Sequence, residues 1–548
     1  MMTRLIFVFL SFFAQESATR PSATYPIAGI VVDAVTGAPV PRAELWTFVQ
    51  NEEMRTTAAE NGRFRFTALE AGKYRLYAEA QGYVGEGYNQ HGAFLTGIAV
   101  GAGLESEHLV FRLRPQAVIH GRVTDDHGDP VRQALVQLFA TSNARGRRAR
   151  GVQSQAQTDD LGEYRFAHLP AGKYYVAVQA HPWYAQTGIT NRNEPAQSGP
   201  SFRRIDVKLD PILDVVYPVT FYPGALSERS ATELSVAAGS REEANIQLQA
   251  VPSVHVVLTN LPVDEKNSNN VAIGANQKIF GWLAVGLSSV SAQISPGEYE
   301  IAGLPPGEIT FTIYQGANPQ EASRMFSANV SGDNTLDVAA SMAASANVAG
   351  RVIQQSANAD MGQAELTLAG EDNRTASTRL RKDGTFSFAS LQAGTYKPYI
   401  SFPHGAQYVQ QLAASGAKVH GRQVTLDGVH EAQLTITLAR GVGQLTGTAQ
   451  LDGKPRAGAM VLLVPESGEN IEDDSRMDQS DSDGTFAISG ILPGKYLLMA
   501  IDDGWDLEWF NPAVLNPFRE NAQMFEIVPD GSTKATVNVQ RSGKGNLR

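Results

Sequence analysis

One pattern recurs five times along this chain: a turn glycine, an aromatic residue two positions on, an apolar residue at plus seven and a second glycine at plus ten. The copies are NGRFRFTALEAGKY (Gly62, Gly72), LGEYRFAHLPAGKY (Gly162, Gly172), PGEYEIAGLPPGEI (Gly297, Gly307), DGTFSFASLQAGTY (Gly384, Gly394) and DGTFAISGILPGKY (Gly484, Gly494). Self-similarity at fixed internal spacing is the mark of a tandem array. A chain of 548 residues is also too long for one hydrophobic core.

The physics of the repeat is that of a β-hairpin. Asn/Asp-Gly or Pro-Gly opens a tight turn, because glycine accepts the positive φ that such turns need. The residues that follow alternate, so Phe64 and Phe66 face one side while Arg63 and Arg65 face water. Leu69, Leu169, Leu304, Leu391 and Ile491 fall where the chain dips back to the core. The Ala-Gly or Pro-Gly pair is expected to make the next turn, and Lys-Tyr or its equivalent to start a second strand. Phe64, Tyr164, Tyr299, Phe386 and Phe486 are read as core residues rather than ligand contacts.

Upstream of four copies lies an apolar strand carrying a glycine: Gly29, Gly121, Gly350 and Gly447. Three of these continue to a Gly-x-Pro turn, and a second apolar strand follows, as in ALVQLFA and AMVLLVP. The third unit begins VHVVLTN around Val256 without the glycine. Alternating strands near Leu113, Leu248, Val338, Leu438 and Val539 close the units. Six to seven short strands in each, with frequent Gly and Pro, predict an all-β tandem array of small antiparallel Greek-key sandwiches. The expected units are 25–115, 116–250 (with long loops), 251–345 (diverged), 346–440 and 441–542, followed by a disordered tail at 543–548.

Residues 1–18 read as a secretion signal: Arg4, then the apolar run Leu5 to Ala14, then small residues at Ala14, Ser17 and Ala18. That run is too short for a permanent membrane helix, and no transmembrane segment is expected after cleavage. Export places the chain in the periplasm or outside the cell. With no cysteine, disulfides, thiolate metal sites and a lipidated cysteine are excluded. A net charge of -11 argues against nucleic acid as a partner. The basic cluster Arg145 to Arg150 reads as a solvated loop.

Gly-x-Val, then Gly-x-Pro-Val, then Asp-Gly-x-Phe/Tyr-x-Phe-x-x-Leu-x-x-Gly-x-Tyr resembles the pattern of bacterial carboxypeptidase-regulatory-like domains. These are cousins of collagen-adhesin B-type repeats and share a transthyretin-like sandwich. The second unit, Val118 to Leu248, is the most typical and Val251 to Ser345 the least. The resemblance implies a fold and no activity. In metallocarboxypeptidases this module follows a zinc-binding catalytic domain, for which this chain has no room. Collagen-adhesin repeats often carry a Lys–Asn isopeptide bond; here Arg122 and Arg351 stand on the first strands, and Asn245 and Asn538 on the last have no evident lysine partner.

No catalytic residues, metal site or cofactor is expected. The ten histidines show no H-E-x-x-H or other ligand spacing, and Gly-x-Ser-x-Gly is absent. Glu472, Asp473, Asp474, Asp478, Asp481 and Asp483 crowd one loop, but no glutamate closes it in EF-hand register, so it reads as a solvated hairpin. Recognition, if any, falls to aromatic connections: Trp183 and Tyr184 in the second unit, and Trp505, Trp509 and Phe510 in the fifth. In WDLEWF the two indoles fall on one side of a strand or a helical turn, with Asp506 and Glu508 between them to hold sugar hydroxyls. Three roles fit: a non-catalytic binding array for a glycan or protein at the cell envelope, a spacer holding its ends apart, and, from the resemblance, an accessory partner of a separately encoded peptidase or transport system.

Overall fold

Each glycine-to-glycine decapeptide folds as strand, crossing, strand. Arg63–Leu69 leads to Gly72–Tyr74, Glu163–Leu169 to Gly172–Gln179, Glu298–Leu304 to Gly307–Gln315, Thr385–Gln392 to Gly394–Ser401 and Thr485–Ile491 to Gly494–Asp502. The five leading glycines all sit at φ 75° to 81°, the left-handed region that their turn requires. The second glycine behaves differently from the expected turn. It is the first residue of the next strand in every copy, with Gly394 and Gly494 nearly extended at φ 152° and 154°.

The computed structural model describes residues 23–542 apart from 144–145, 188, 192–201, 205–209, 262–270, 284–286, 288, 316–322, 342–343, 355–359, 371–374, 404–406 and 469. Residues 1–18, read above as a secretion signal, together with 543–548, Arg145 and His404, lie outside the described residues.

The repeat strand pairs antiparallel with the first strand of its unit in one register throughout. Gly29 faces Phe64, Gly121 faces Tyr164, Leu258 faces Tyr299, Gly350 faces Phe386 and Gly447 faces Phe486, each pair lying beyond a β-bulge. The last strand then lies parallel to the first in every sandwich, and in the fifth it also runs parallel to Gly494–Asp502, within an otherwise antiparallel frame. That parallel approach explains the first-strand glycine. A Cβ at Gly29, Gly121, Gly350 or Gly447 would lie 2.1–2.2 Å from the carbonyl oxygen of Leu109, Ala244, Leu434 or Ala535. The third unit holds Leu258 there, fully buried, and nothing in its surroundings explains the exchange.

Five clusters of buried side chains lie between paired layers, spanning Ile27–Leu113, Ala117–Leu248, Val254–Val338, Val348–Leu438 and Leu445–Val539. The five repeat aromatics are buried members of these cores. In the fifth sandwich Ser532–Arg541 pairs with both Gly443–Leu451 and Gly494–Asp502, joining the two layers into one sheet.

Two sheets are buried on both faces. Met460–Pro465 has all six residues buried, and its outer face is roofed by Leu507, Trp509, Leu515 and Phe518. The last two belong to an eight-residue helix, Pro512–Arg519, begun by Asn511, whose side chain accepts from the Ala513 amide. In the second sandwich Phe139, Tyr175 and Ala177 are roofed by Val219 and Phe221 and by Ile279 and Phe280 of the third. Covering an outer face of this kind contributes roughly 1.5–3 kcal/mol per large apolar side chain. It also binds successive sandwiches together.

Candidate functional site

The aromatic segment of the fifth sandwich is not an open platform. Gly504–Asp506 forms a single 3-10 turn, which breaks the extended or helical spacing expected of WDLEWF. The Trp505 ring stacks on the His91 imidazole of the first sandwich, centroids 4.9 Å apart and 7° from parallel, with Phe94 beside it at 5.6 Å. Its indole N–H donates to the Gly458 carbonyl at 3.2 Å. Trp509 is 3% exposed and stacks on Phe510 at 4.6 Å. Gly146 of the second sandwich presses on this indole so closely that a Cβ there would stand 2.3 Å from the ring. The Phe510 amide donates to the Gly146 carbonyl and the Asn143 side chain to the Asp506 carbonyl. These rings join three sandwiches.

The acidic loop likewise serves contacts between sandwiches rather than water. Asp473 pairs with Lys397 and Asp474 with Arg422, both on the fourth unit, and Glu472 meets Arg147 of the second at 3.5 Å. Asp481 reaches the first: its carboxylate accepts from the Gly97 amide at 2.9 Å and from Lys73 Nζ at 2.5 Å. Next to it Ser482 Oγ accepts from the Ala99 amide, and the Ser482 amide donates back to the Gly97 carbonyl. Gln479, 2% exposed, donates to the Asn89 carbonyl and to Thr96 Oγ1 and lies 3.1 Å from His91 Nδ1. The described part of the basic cluster is also engaged within the chain. Arg148 pairs with Glu233, and Arg150 lies over the Tyr175 and Phe280 rings.

With Phe280 seated in the second sandwich and Gln392 donating to the Met325 carbonyl between the fourth and third, contacts run from first to fifth unit and back to the first. Between the first, second, fourth and fifth lies a half-open cleft of about 1600 Å³.

Trp183 and Tyr184 have a different setting. Trp183 is 91% exposed, its ring edge-on to Tyr184 at 5.8 Å. Burial, then Asp126 and Asp125 nearby, raises the Tyr184 phenol above its ordinary range, and the phenol shares a hydrogen bond with Tyr217. A separate turn, after the strand Ala117–Thr124, brings Asp125, Asp126 and His127 to within 4.8 Å of one another. Asp125 Oδ1 there already accepts from the amides of His127 and Asp129, so the group serves the turn.

Sequence reasoning missed a network at the second–third junction. His255 is held between Asp214, at 3.1 Å from Nε2, and Glu300, at 3.1 Å from Nδ1, while Ser253 donates to Asp214. Burial opposes charge on the imidazole, but the hydrogen bonds to Glu300 and Asp214 outweigh it and raise the pKa. The serine hydroxyl is bonded to a carboxylate, not to the imidazole, and both ring nitrogens face carboxylates, so the serine–imidazole contact of a nucleophilic triad is not made here. The only sequence signal was a histidine opening VHVVLTN.

Residues 26–113 and 118–200 match the sequence profile of the carboxypeptidase regulatory-like domain. No curated protein matches the chain. Among solved structures, the TIE protein of Bacillus anthracis is similar at 12% identity and TM-score 0.16, over 94% of this chain and 68% of that one. The full-length major pilin RrgB of Streptococcus pneumoniae is similar at 8% identity and TM-score 0.16, over 93% and 99%. The minor pilin GBS52 of Streptococcus agalactiae is similar at 14% identity and TM-score 0.18, over 35% and 95%. Scores this low carry nothing about this chain's arrangement or role.

Proposed function

With its first two sandwiches in the carboxypeptidase regulatory-like family, this chain is, we propose, a non-catalytic binding protein that works outside the cytoplasm and recognises carbohydrate through Trp183 and Tyr184. The observation that carries the reading is the exposure of Trp183, 91% in the open on a folded loop, beside a phenol and the Asp125–Asp126 carboxylates. An exposed indole offers a flat face, and a sugar ring presents a flat C–H face to stack on it while its hydroxyls reach acidic neighbours. The units 25–115, 116–250, 251–345, 346–440 and 441–542 are proposed as its domains, with secretion directed by 1–18. No helix among the described residues is long and apolar enough to cross a membrane. Contact between the first and fifth sandwiches counts against a spacer that holds its ends apart.

The test is a glycan array on the purified chain, paired with Trp183→Ala. Loss of the bound glycan with an unchanged thermal midpoint supports the reading. Undiminished binding by the variant, or no binding by the parent, refutes it.

A further inference from the structure

We propose that the outer face of the first sandwich is where two copies of this chain meet, paired face to face about a two-fold axis. The face is the far side of the sheet that contains Glu44–Val49 and Tyr77–Glu79. Leu45, Thr47, Leu76 and Ala78 are wholly buried on the core side, so alternation turns Trp46, Phe48, Arg75, Tyr77 and Glu79 away from it. The three rings make one strip. Trp46 stacks on Tyr77 at 5.7 Å, and Phe48 meets Tyr77 edge-on at 6.5 Å. Phe48 is 49% exposed.

In two other sandwiches the same face is covered. Trp46 opposes Tyr77, a register that continues to Phe48 opposite Arg75; in the second and fifth units Phe139 opposes Tyr175 and Val464 opposes Leu497. Arg75, Tyr175 and Leu497 are each the third residue past the second repeat glycine, so Phe48, Phe139 and Val464 hold one position. Phe139 lies against Phe280 of the third sandwich, and Val464 under the layer that includes Trp509 and Leu515. Phe48 has the position without a buried layer over it among the described residues. An uncovered aromatic patch rimmed by charge marks an interaction surface, and Trp, Tyr, Phe and Arg are the side chains enriched at the centre of protein interfaces.

The charges on the face select a second copy as the occupant. Arg55 lies over the Trp46 ring at 5.3 Å and is already engaged by Glu44 and Glu53. Arg75 and Glu79 stand two positions to either side of Tyr77, both exposed, and neither forms an ion pair among the described residues. A face with one such cation and one such anion at opposite ends is complementary to itself when turned over. A two-fold axis between the faces and perpendicular to the Tyr77 strand reverses that strand in the second copy. Tyr77 then meets Tyr77, and Arg75 of each copy meets Glu79 of the other, as an isologous contact requires. An axis along the strand would instead set Arg75 against Arg75 and Glu79 against Glu79, which like charges disfavour.

The experiment is sedimentation equilibrium of the full chain from about 1 to 200 μM at low salt, a range that reports modest self-association. Expected is a mass that rises from that of one chain toward twice it. The association should weaken at least about tenfold in Phe48→Ala, in Arg75→Glu and in Glu79→Arg, each change acting twice in a two-fold dimer, with thermal midpoints unchanged. Combining Arg75→Glu with Glu79→Arg exchanges the two charges and should bring the association back to within about threefold of the parent. Trp183→Ala should leave it intact, so this face and the Trp183 surface can fail separately. A single-chain mass across the whole range overturns the proposal and leaves the face to a different protein. So does a dimer of full affinity in folded Phe48→Ala and Arg75→Glu proteins, or a combined charge variant that stays as weak as the single ones.

Discussion

The carboxylate of Asp481 accepts a hydrogen bond from the backbone amide of Gly97, 384 residues away in sequence, at 2.9 Å. Gly97 has no side chain to intervene, and a Cβ there would stand 2.6 Å from Asp481 Oδ1. The contact therefore needs both residue types. Around it Gln479, Ser482 and Lys73 complete a polar seam, and Trp505 on His91 closes its apolar edge. The ends of a tandem array are in this way made neighbours.

Gly97→Val should undo this seam without touching either core. The new side chain displaces Asp481, leaving the Gly97-position amide and Gln479 without partners, at about 1–3 kcal/mol for each buried polar group so stranded. Small-angle scattering should then show a larger radius of gyration, while far-ultraviolet circular dichroism keeps its β signature. An unchanged radius would mean that the seam does not hold the ring.

The junction at His255 should be sensitive to pH. Its pKa is raised in the fold by hydrogen bonds to Glu300 and Asp214, against the opposing effect of burial, with the Asp333 charge adding to the rise. A raised pKa means that the stabilisation is fully present below the unfolded value near 6.5 and is lost as pH rises through the higher folded value. Protection of the Val254–Thr259 strand from hydrogen exchange should fall as pH is raised from about 6 to 9, after correction for intrinsic rates. His255→Gln should flatten that dependence.

The tandem sandwiches were legible because glycine at a positive φ and a two-residue alternation leave direct traces in sequence, as Gly62, Phe64 and Phe66 show. The second glycine misled, since Gly72 and its counterparts permit a strand to begin rather than a turn. Of the candidate site residues, Trp183 stands in the open, whereas Trp509 is covered. A signal for that cover existed: MVLLVP is apolar without alternation, which marks a strand buried on both faces. The neighbour supplying the cover could not be read, because Gly146 and His91 become partners of Trp509 and Trp505 only through the ring closure. The acidic loop was misread for the same reason, its counter-charges Lys397, Arg422 and Lys73 being far off in sequence.

Phe280 should govern docking of the third sandwich on the second. Its ring sits 5.2 Å from Phe139, 5.1 Å from Tyr175 and 5.6 Å from Phe221, with Arg150 above it at 4.6 Å. Aromatic pairs of this geometry contribute ~0.5–1.5 kcal/mol each beyond burial. Phe280→Ala should expose the Tyr175 face and speed proteolysis between the two sandwiches, leaving the melting of the first unaltered. Equal proteolysis rates in variant and parent would remove Phe280 from that role.

Trp505 and Trp509, four residues apart, should respond differently to truncation. Trp509 is part of the apolar layer over Met460, Leu462 and Val464, so Trp509→Ala leaves a cavity and should cost about 3–5 kcal/mol, lowering the midpoint of the fifth sandwich. Trp505 is half-buried at a seam, and its removal takes the stack from His91 and the tilted contact from Phe94 while the fifth core keeps its own side chains. Trp505→Ala should therefore loosen the first sandwich from the fifth, seen as faster exchange of the Thr96 and Gly97 amides, with a midpoint shift well below that of Trp509→Ala. Trp505→Phe, which restores a flat ring but not the indole N–H to Gly458, should recover most of the protection. Equal midpoint losses for the two alanine variants would show that the fifth core and the seam melt as one cooperative body, and the ring would then open only by unfolding.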